Sequence, residues 1–385
     1  MLQLPVLKTP WYSYCTGKIS EGCQLCVQGR KLVLFITGLC GQRCFYCPVS
    51  ELKFGNDVVF ANETPVKNPG NPVELIEEVG LTEARGAGIT GGDPLVKIER
   101  CCDYIRLLKQ NFGKKFHIHL YTPLQLVSEE RLKKLFDAGL DEIRFHPNLD
   151  DQALWPRLSL ARKFSWKTGV EIPSIPEYEE KTKKLIDFIV GKVDFINLNE
   201  LELSDTQAEH YKLAKLGYKP KDAISYGVEG SVESGRVLLK YAIGKGLPGH
   251  LCTAKLKDGI QVKRRLQFRA KHVALSFEKR TKDGLLIRAC LYLEELKPGF
   301  GYRKHLKTVC GGRLLEKLTD LKNKIQKELD CDETQIVIDE KKCRLLLPEK
   351  LLKKNISYFK KQNLSPAIVQ EYPTSDGFEV DIEFL

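Results

Sequence analysis

Three cysteines of this chain, Cys40, Cys44 and Cys47, stand at a C-x3-C-x2-C spacing within Leu39-Cys40-Gly41-Gln42-Arg43-Cys44-Phe45-Tyr46-Cys47-Pro48. Thiols this close in sequence meet one metal centre only if the chain turns tightly around it. An apolar run directly before them, Leu32-Val33-Leu34-Phe35-Ile36, reads as a strand that empties into such a loop. The chemistry then divides. A structural zinc wants four protein ligands and would have to take its fourth from elsewhere in the chain. A four-iron cluster takes one ligand per iron, so three thiolates leave one iron free to bind something else. The spacing alone leaves both open.

Two further groups could do chemistry. Ile89-Thr90-Gly91-Gly92-Asp93-Pro94 places adjacent glycines where a strand ends, and glycines there let a ligand approach the backbone. Cys15 and the pair in Cys23-Gln24-Leu25-Cys26 lie in an irregular N-terminal stretch broken by Pro5, Pro10, Gly17, Gly22 and Gly29. A C-x2-C turn can direct two thiolates at one metal, so a second site, of zinc or iron–sulfur type, is expected. Its remaining ligands would be Cys15 and either His250 or Cys252, with Cys252 the better placed. The plainer alternative is two unrelated cysteines.

The elements that must position these residues alternate between short strands and amphipathic helices. Strands are expected at Leu32–Thr37, Gly86–Thr90, Phe116–Tyr121, Glu142–Phe145, Gly169–Ile172 and Asp194–Leu198. Helices are expected at Pro72–Val79, Ile98–Phe112, Ser128–Ala138 (Ser128 as N-cap, Gly139 at the end), around the tryptophans, and at Ser234–Ala242. Repeated βα units imply a parallel sheet with right-handed crossovers, and such sheets gather their chemistry at the carboxyl ends of the strands. Both the cysteine loop and the double-glycine turn fall there.

Strand alternation adds a constraint. His117, His119 and Tyr121 share one face; so do Glu142, Arg144 and His146; Asn197 and Asn199 oppose Ile196 and Leu198; and Glu171 sits between Val170 and Ile172. Strands buried in a flat parallel sheet read as apolar on both faces. Strands apolar toward helices and polar inward predict a partial barrel with a polar lumen. Any one of these histidines alone reads equally well as a hydrogen-bonded core residue.

The chain is long enough for one large α/β domain plus a smaller unit. Its expected organisation is an N-terminal extension over 1–30, a barrel over 31–250, a basic helix and β-hairpin over 251–300, and a small α+β domain over 310–385. In the last third the basic helix covers Lys263-Arg264-Arg265-Leu266-Gln267-Phe268-Arg269-Ala270-Lys271-His272, a hairpin joins Val273–Phe277 to Leu285–Leu293, and Gly299, Gly301, Gly311 and Gly312 mark a linker. A helix from Leu314 to Leu329, strands Gln335–Ile338 and Cys343–Leu347, helix Leu351–Gln362 and a strand near Phe378–Phe384 complete it. The net charge is +11, and residues 252–385 hold 28 Lys and Arg against 19 Asp and Glu. That surplus suggests a polyanionic partner such as tRNA or another RNA, or simply a solvated lysine-rich surface. No apolar run approaches the roughly 20 residues that span a bilayer. Met1-Leu2-Gln3-Leu4-Pro5 lacks the features of a secretory signal. The expectation is a cytoplasmic protein with reduced thiols and no membrane partner.

On the Cys40/Cys44/Cys47 triplet, with Tyr46 beside its last cysteine, the sequence resembles the radical S-adenosylmethionine (SAM) superfamily. The lead-in Val33-Leu34-Phe35-Ile36-Thr37-Gly38-Leu39-Cys40 and Cys44-Phe45-Tyr46-Cys47-Pro48 are most similar to an archaeal-type group related to pyruvate formate-lyase activating enzymes. The resemblance covers roughly residues 31–200 and implies an α/β fold, a partial (β/α) barrel of radical SAM type, with a small α+β C-terminal accessory domain. It implies a [4Fe-4S] cluster on Cys40, Cys44 and Cys47, SAM on its open iron, and reductive cleavage to a 5′-deoxyadenosyl radical. The family has Gly-Gly-Glu-Pro where this chain has Gly91-Gly92-Asp93-Pro94, a turn that receives the methionyl amino group. With Tyr46, the inward strand positions Thr122, Arg144, Glu171 and Asn197 are the candidates for the rest of SAM. A one-electron donor of flavodoxin or ferredoxin type is implied as partner. RNA is the first expected substrate; activation of a glycyl-radical protein, and a zinc-stabilised RNA-binding protein without catalysis, are the alternatives.

Overall fold

In the computed structural model, which describes residues 5–309 and 312–385, seven parallel strands stand side by side in chain order. They are β1 (Lys31–Phe35), β2 (Gly86–Thr90), β3 (His117–Thr122), β4 (Glu142–Phe145), β5 (Lys167–Ser174), β6 (Phe195–Glu200) and β7 (Gly249–Cys252). Short antiparallel strands cover both edges: Phe60–Ala61 on β1, and Tyr14–Cys15 on β7. The sheet does not close on itself, so the architecture is the partial barrel expected. The strand missing from the sequence reading is β7. Four residues that include His250 and Cys252 give no apolar run to find.

Helices α1 (Glu21–Val27), α2 (Val73–Leu81), α3 (Ile98–Phe112), α4 (Glu129–Ala138), α5 (Glu179–Ile189) and α6 (Ser231–Gly244) complete this unit. Ile105 and Leu108 of α3 and Leu132 and Leu135 of α4 bury against the outward strand face formed by Ile118, Leu120, Ile143 and Phe145. Each such side chain contributes about 1.5–3 kcal/mol on burial. Ser128 caps α4 by accepting from the Arg131 amide at 3.3 Å, and Gly139 ends it in the left-handed region at φ 102°. The tryptophan-bearing stretch forms 3-10 turns over Trp155–Lys163 in place of an α-helix. Pro156 lacks an amide hydrogen, and the Trp155 indole is tied to the Asn148 carbonyl at 2.8 Å.

The chain divides into two units, Met1–Arg265 and Leu266–Leu385. The N-terminal thirty residues are no separate extension, because Tyr14–Cys15 joins the main sheet and α1 packs on β1, β2 and β3. In the second unit, the strand Leu286–Leu293 is the sheet's centre and pairs antiparallel with both Arg344–Leu347 and Leu364–Glu371. The hairpin expected with Val273–Phe277 is replaced by a two-residue partner, Lys279–Arg280. Leu364–Glu371 escaped the sequence reading because Ser365 and Pro366 interrupt its apolar pattern. The stretch expected as one helix, Leu351–Gln362, is two short ones, Glu349–Lys354 and Ile356–Lys361, divided at Asn355. The expected glycine linker carries a helix, Tyr302–Val309; Gly311 lies outside the described residues, as do Met1 to Leu4. Arg344 is fully buried and bonds Glu371 at 2.6 Å and the Tyr292 hydroxyl at 2.8 Å. Among the described residues no helix is long and apolar enough to cross a membrane.

Candidate active site

The cysteine loop leaves β1 and the double-glycine turn leaves β2, its parallel neighbour. Three backbone hydrogen bonds stitch the two exits together: Ile36 N to Thr90 O at 2.9 Å, Gly92 N to Thr37 O at 2.8 Å and Asp93 N to Leu39 O at 2.8 Å. A Cβ on Gly91 would stand 2.4 Å from Thr37 O, and one on Gly92 would stand 2.5 Å from Leu39 O and 2.9 Å from Cys40 Cβ. The glycines therefore serve the cysteine loop first. Their missing side chains let the loop's own backbone come within van der Waals range, and ligand access follows from that.

These exits wall one cavity of about 390 Å³, a size suited to a small cofactor. Cys40, Cys44, Cys47 and Tyr46 line it on one side; Gly91, Gly92, Thr122, His146 and Glu171 line it on others. Burial pushes the Cys40 thiol up to about 11 and the Cys44 thiol up to about 12, and raises Cys47 as well. Without metal these groups are neutral thiols, and a metal would have to displace their protons. Three thiols opening on one cavity, with no fourth cysteine among its walls, fit a cluster that leaves one iron accessible.

His146 was not among the predicted site residues, although it ends the polar face begun by Glu142 and Arg144. Its Nδ1 stands 2.8 Å from the Glu171 carbonyl, which can only accept, so Nδ1 carries the hydrogen. Burial holds the ring's pKa below its ordinary value, keeping it neutral, and Nε2 then accepts from the Tyr46 hydroxyl at 2.9 Å. That hydroxyl also lies against the Cys44 thiol.

Glu171 reaches the cavity as a fixed carboxylate. Burial alone would raise its pKa, but Arg144 and the amides of Asn197 and Asn199 outweigh that and hold it below the usual range. The contacts are 2.7 Å from Arg144 Nη1, 2.9 Å from Asn197 Nδ2 and 3.0 Å from Asn199 Nδ2. Arg144 and Asn197 are thereby corrected as SAM contacts. Both are buried behind Glu171, and Arg144 spends its donors on Glu142, Glu171, Tyr121 and Ser20. Asp93 is corrected too: at 1 % exposure it is outside the cavity wall, accepting from Leu95 N at 3.0 Å and Thr122 Oγ1 at 2.9 Å. It braces the turn. On the opposite wall the sequence reading missed Glu200, Glu202 and Lys257. Lys257 pairs with Glu202, while Glu200 accepts from Ala254 N at 2.7 Å and pairs with Lys221 at 2.5 Å. Glu200 ends β6, Glu202 lies in the loop that follows and Lys257 in a π-helical turn, so no single period marks them.

The cysteines expected to share a second site fall on three elements: Cys23 and Cys26 on α1, Cys252 on β7 and Cys15 on the edge strand. Cys23, Cys26 and Cys252 lie near enough for each of the first two to raise the Cys252 thiol. Cys15 pairs with His250 across the sheet edge, and burial raises its thiol. Among the described residues no three His, Cys, Asp or Glu side chains are gathered as a preformed metal-ion site.

Comparison with known proteins places these features. A profile of the radical SAM superfamily matches residues 34–154. A protein of Methanocaldococcus jannaschii, named as a "putative glycyl-radical enzyme activating enzyme", is 39% identical over 377 residues, covering 94% of this chain and 92% of its own. Among solved structures, Streptococcus suis SuiB bound to S-adenosylmethionine matches with a TM-score of 0.41 at 13% identity, over 58% of this chain and 50% of that one. Methylornithine synthase (PylB) matches with a TM-score of 0.37 at 13% identity, over 62% and 79%. The chain thus spans about half the length of SuiB.

Proposed function

The chain belongs to the radical SAM superfamily, and from that premise we propose that Cys40, Cys44 and Cys47 hold its [4Fe-4S] cluster, that the adjoining cavity holds SAM, and that the substrate is a protein. The observation that carries the site is the shared wall: the three thiols and the double-glycine turn border one cavity and are hydrogen-bonded through Gly92 N and Thr37 O. Held by Cys40, Cys44 and Cys47, a cluster would supply the one electron that breaks a carbon–sulfur bond of the SAM sulfonium, leaving methionine and a 5′-deoxyadenosyl radical.

The chain's own residues do the rest by placement. The β2 exit at Thr90, Gly91 and Gly92 presents backbone to the cavity beside Cys40. Glu171 offers a carboxylate already fixed by three donors, so a ligand hydroxyl or ammonium group meets an acceptor that needs no reorganisation. Tyr46, held by neutral His146, keeps an aromatic ring at the thiols.

The name of the Methanocaldococcus jannaschii relative concerns a protein partner, which favours a protein substrate over the RNA suggested by the basic last third. Deuterium tracing separates them. Protein and tRNA fractions from cells grown on deuterated medium would each be incubated with the reconstituted enzyme, SAM and dithionite. Deuterium in 5′-deoxyadenosine from the protein fraction supports the proposal; transfer from the tRNA fraction alone contradicts it.

A further inference from the structure

We propose that Cys23, Cys26 and Cys252 hold a second iron–sulfur cluster inside the barrel, separate from the one on Cys40, Cys44 and Cys47. Helix α1 is what brings the first two there. Its N-cap, Ser20, accepts from the Cys23 amide at 3.4 Å and from Arg144 Nη2 at 2.9 Å, which ties the helix start to the charged lumen. Gly22 faces the same wall so closely that a Cβ would stand 2.5 Å from both Arg144 Nη2 and His119 Nδ1. Cys23 and Cys26 are three residues apart, hence neighbours on one helix face. Cys23 Sγ accepts from Asn197 Nδ2 at 3.3 Å.

The third thiol comes from β7. Asn197 and Asn199 of β6 are in parallel register with His250 and Cys252. Paired residues of parallel strands point to one side of the sheet, and both asparagines point to Glu171 in the lumen. Cys252 therefore points there as well. His250 shares that face and leaves its buried Nδ1 without a partner, while Nε2 meets Ser13 Oγ at 3.1 Å. That free ring nitrogen is the candidate fourth ligand.

Buried cysteines usually pack as small apolar residues. These three lie among charged groups. Lys31 and Arg144 act as cations on Cys26, and Arg144 acts on Cys23. Lys31 is itself buried, with its Nζ 2.9 Å from His117 Nδ1. Glu171 acts as an anion on all three thiols, so groups of both signs surround them. A cluster takes one thiolate per iron, and His can stand in for Cys, so three thiols and one ring nitrogen match its ligand count.

The test does not depend on the first cluster. A Cys40→Ala/Cys44→Ala/Cys47→Ala variant, reconstituted anaerobically with iron and sulfide, should retain about four iron per chain and a broad visible absorbance. Adding Cys23→Ser and Cys252→Ser should remove both. A triple variant with no iron, with zinc only, or with iron indifferent to the two serines overturns the site. Should the triple variant fail to fold, Cys23→Ser/Cys252→Ser in the otherwise natural chain decides: iron falling from about eight to about four per chain supports the second cluster, and unchanged iron overturns it. In that double variant the paramagnetic signal that responds to added SAM should persist, so failure of this site is distinguishable from failure of the first.

Discussion

Tyr46 donates its phenol hydrogen to Nε2 of His146 across 2.9 Å, joining the cysteine loop to the end of a strand 100 residues later. The direction of that bond is set by the Glu171 carbonyl, which claims the hydrogen on Nδ1. Tyr46→Phe leaves a half-buried imidazole acceptor without its donor and should cost about 1 kcal/mol. Chemical denaturation would measure it. His146→Phe should cost a similar amount, and the double variant less than the sum, because the two share one bond.

Gly92→Ala tests whether the glycine turn and the cysteine loop are one unit. Its Cβ would meet Leu39 O at 2.5 Å, so the loop must shift or the turn must strain. The expected cost is about 1–3 kcal/mol. Iron bound after reconstitution should drop by more than far-ultraviolet circular dichroism at 25 °C changes. Full iron occupancy in a normally folded Gly92→Ala protein would contradict the packing argument.

Arg144 is a buried hub that joins Glu142, Glu171, Tyr121 and Ser20. Arg144→Met strands two buried carboxylates and should destabilise the chain by about 3–5 kcal/mol. The midpoint in urea would report it.

Glu142 gives the fold an acid limit. Burial opposes its charge, but Arg144 and His117 outweigh burial and hold its pKa at about 2, below the ordinary 4.5. A depressed folded-state pKa means stability that is present above pH 4.5 and lost as pH falls toward 2. At about 1.4 kcal/mol per unit the loss is on the order of 3 kcal/mol. Comparing urea midpoints across that window, Glu142→Gln should show a shallower decline than the natural chain. An identical slope would place the acid sensitivity elsewhere.

Much of the first unit was legible because each signal had a simple period or spacing. The C-x3-C-x2-C loop, the double glycine and helix Ile98–Phe112 are read directly from residue types. The polar inward faces of β3, β4 and β6 announced a lumen. What alternation does not give is depth. Arg144, Glu171 and Asn197 share that lumen, yet only Glu171 reaches the cavity, since the other two are spent holding it. Asp93 looked like a ligand contact because the family turn has an acid there; its hydrogen bonds to Leu95 N and Thr122 make it a brace. β7 and Leu364–Glu371 were illegible because short or proline-interrupted strands are fixed by their neighbours in the sheet. Glu200, Glu202 and Lys257 come together from a strand end, a loop and a π-helical turn, which no local pattern encodes.

The central claim is that three thiols of one loop hold a cluster beside a SAM cavity. Its most direct test is anaerobic reconstitution followed by SAM and dithionite, with 5′-deoxyadenosine measured for the natural chain and for Cys44→Ala. The natural chain should form 5′-deoxyadenosine and methionine in equal amounts, and Cys44→Ala should form none above background. Equal cleavage of SAM by both proteins would contradict the account.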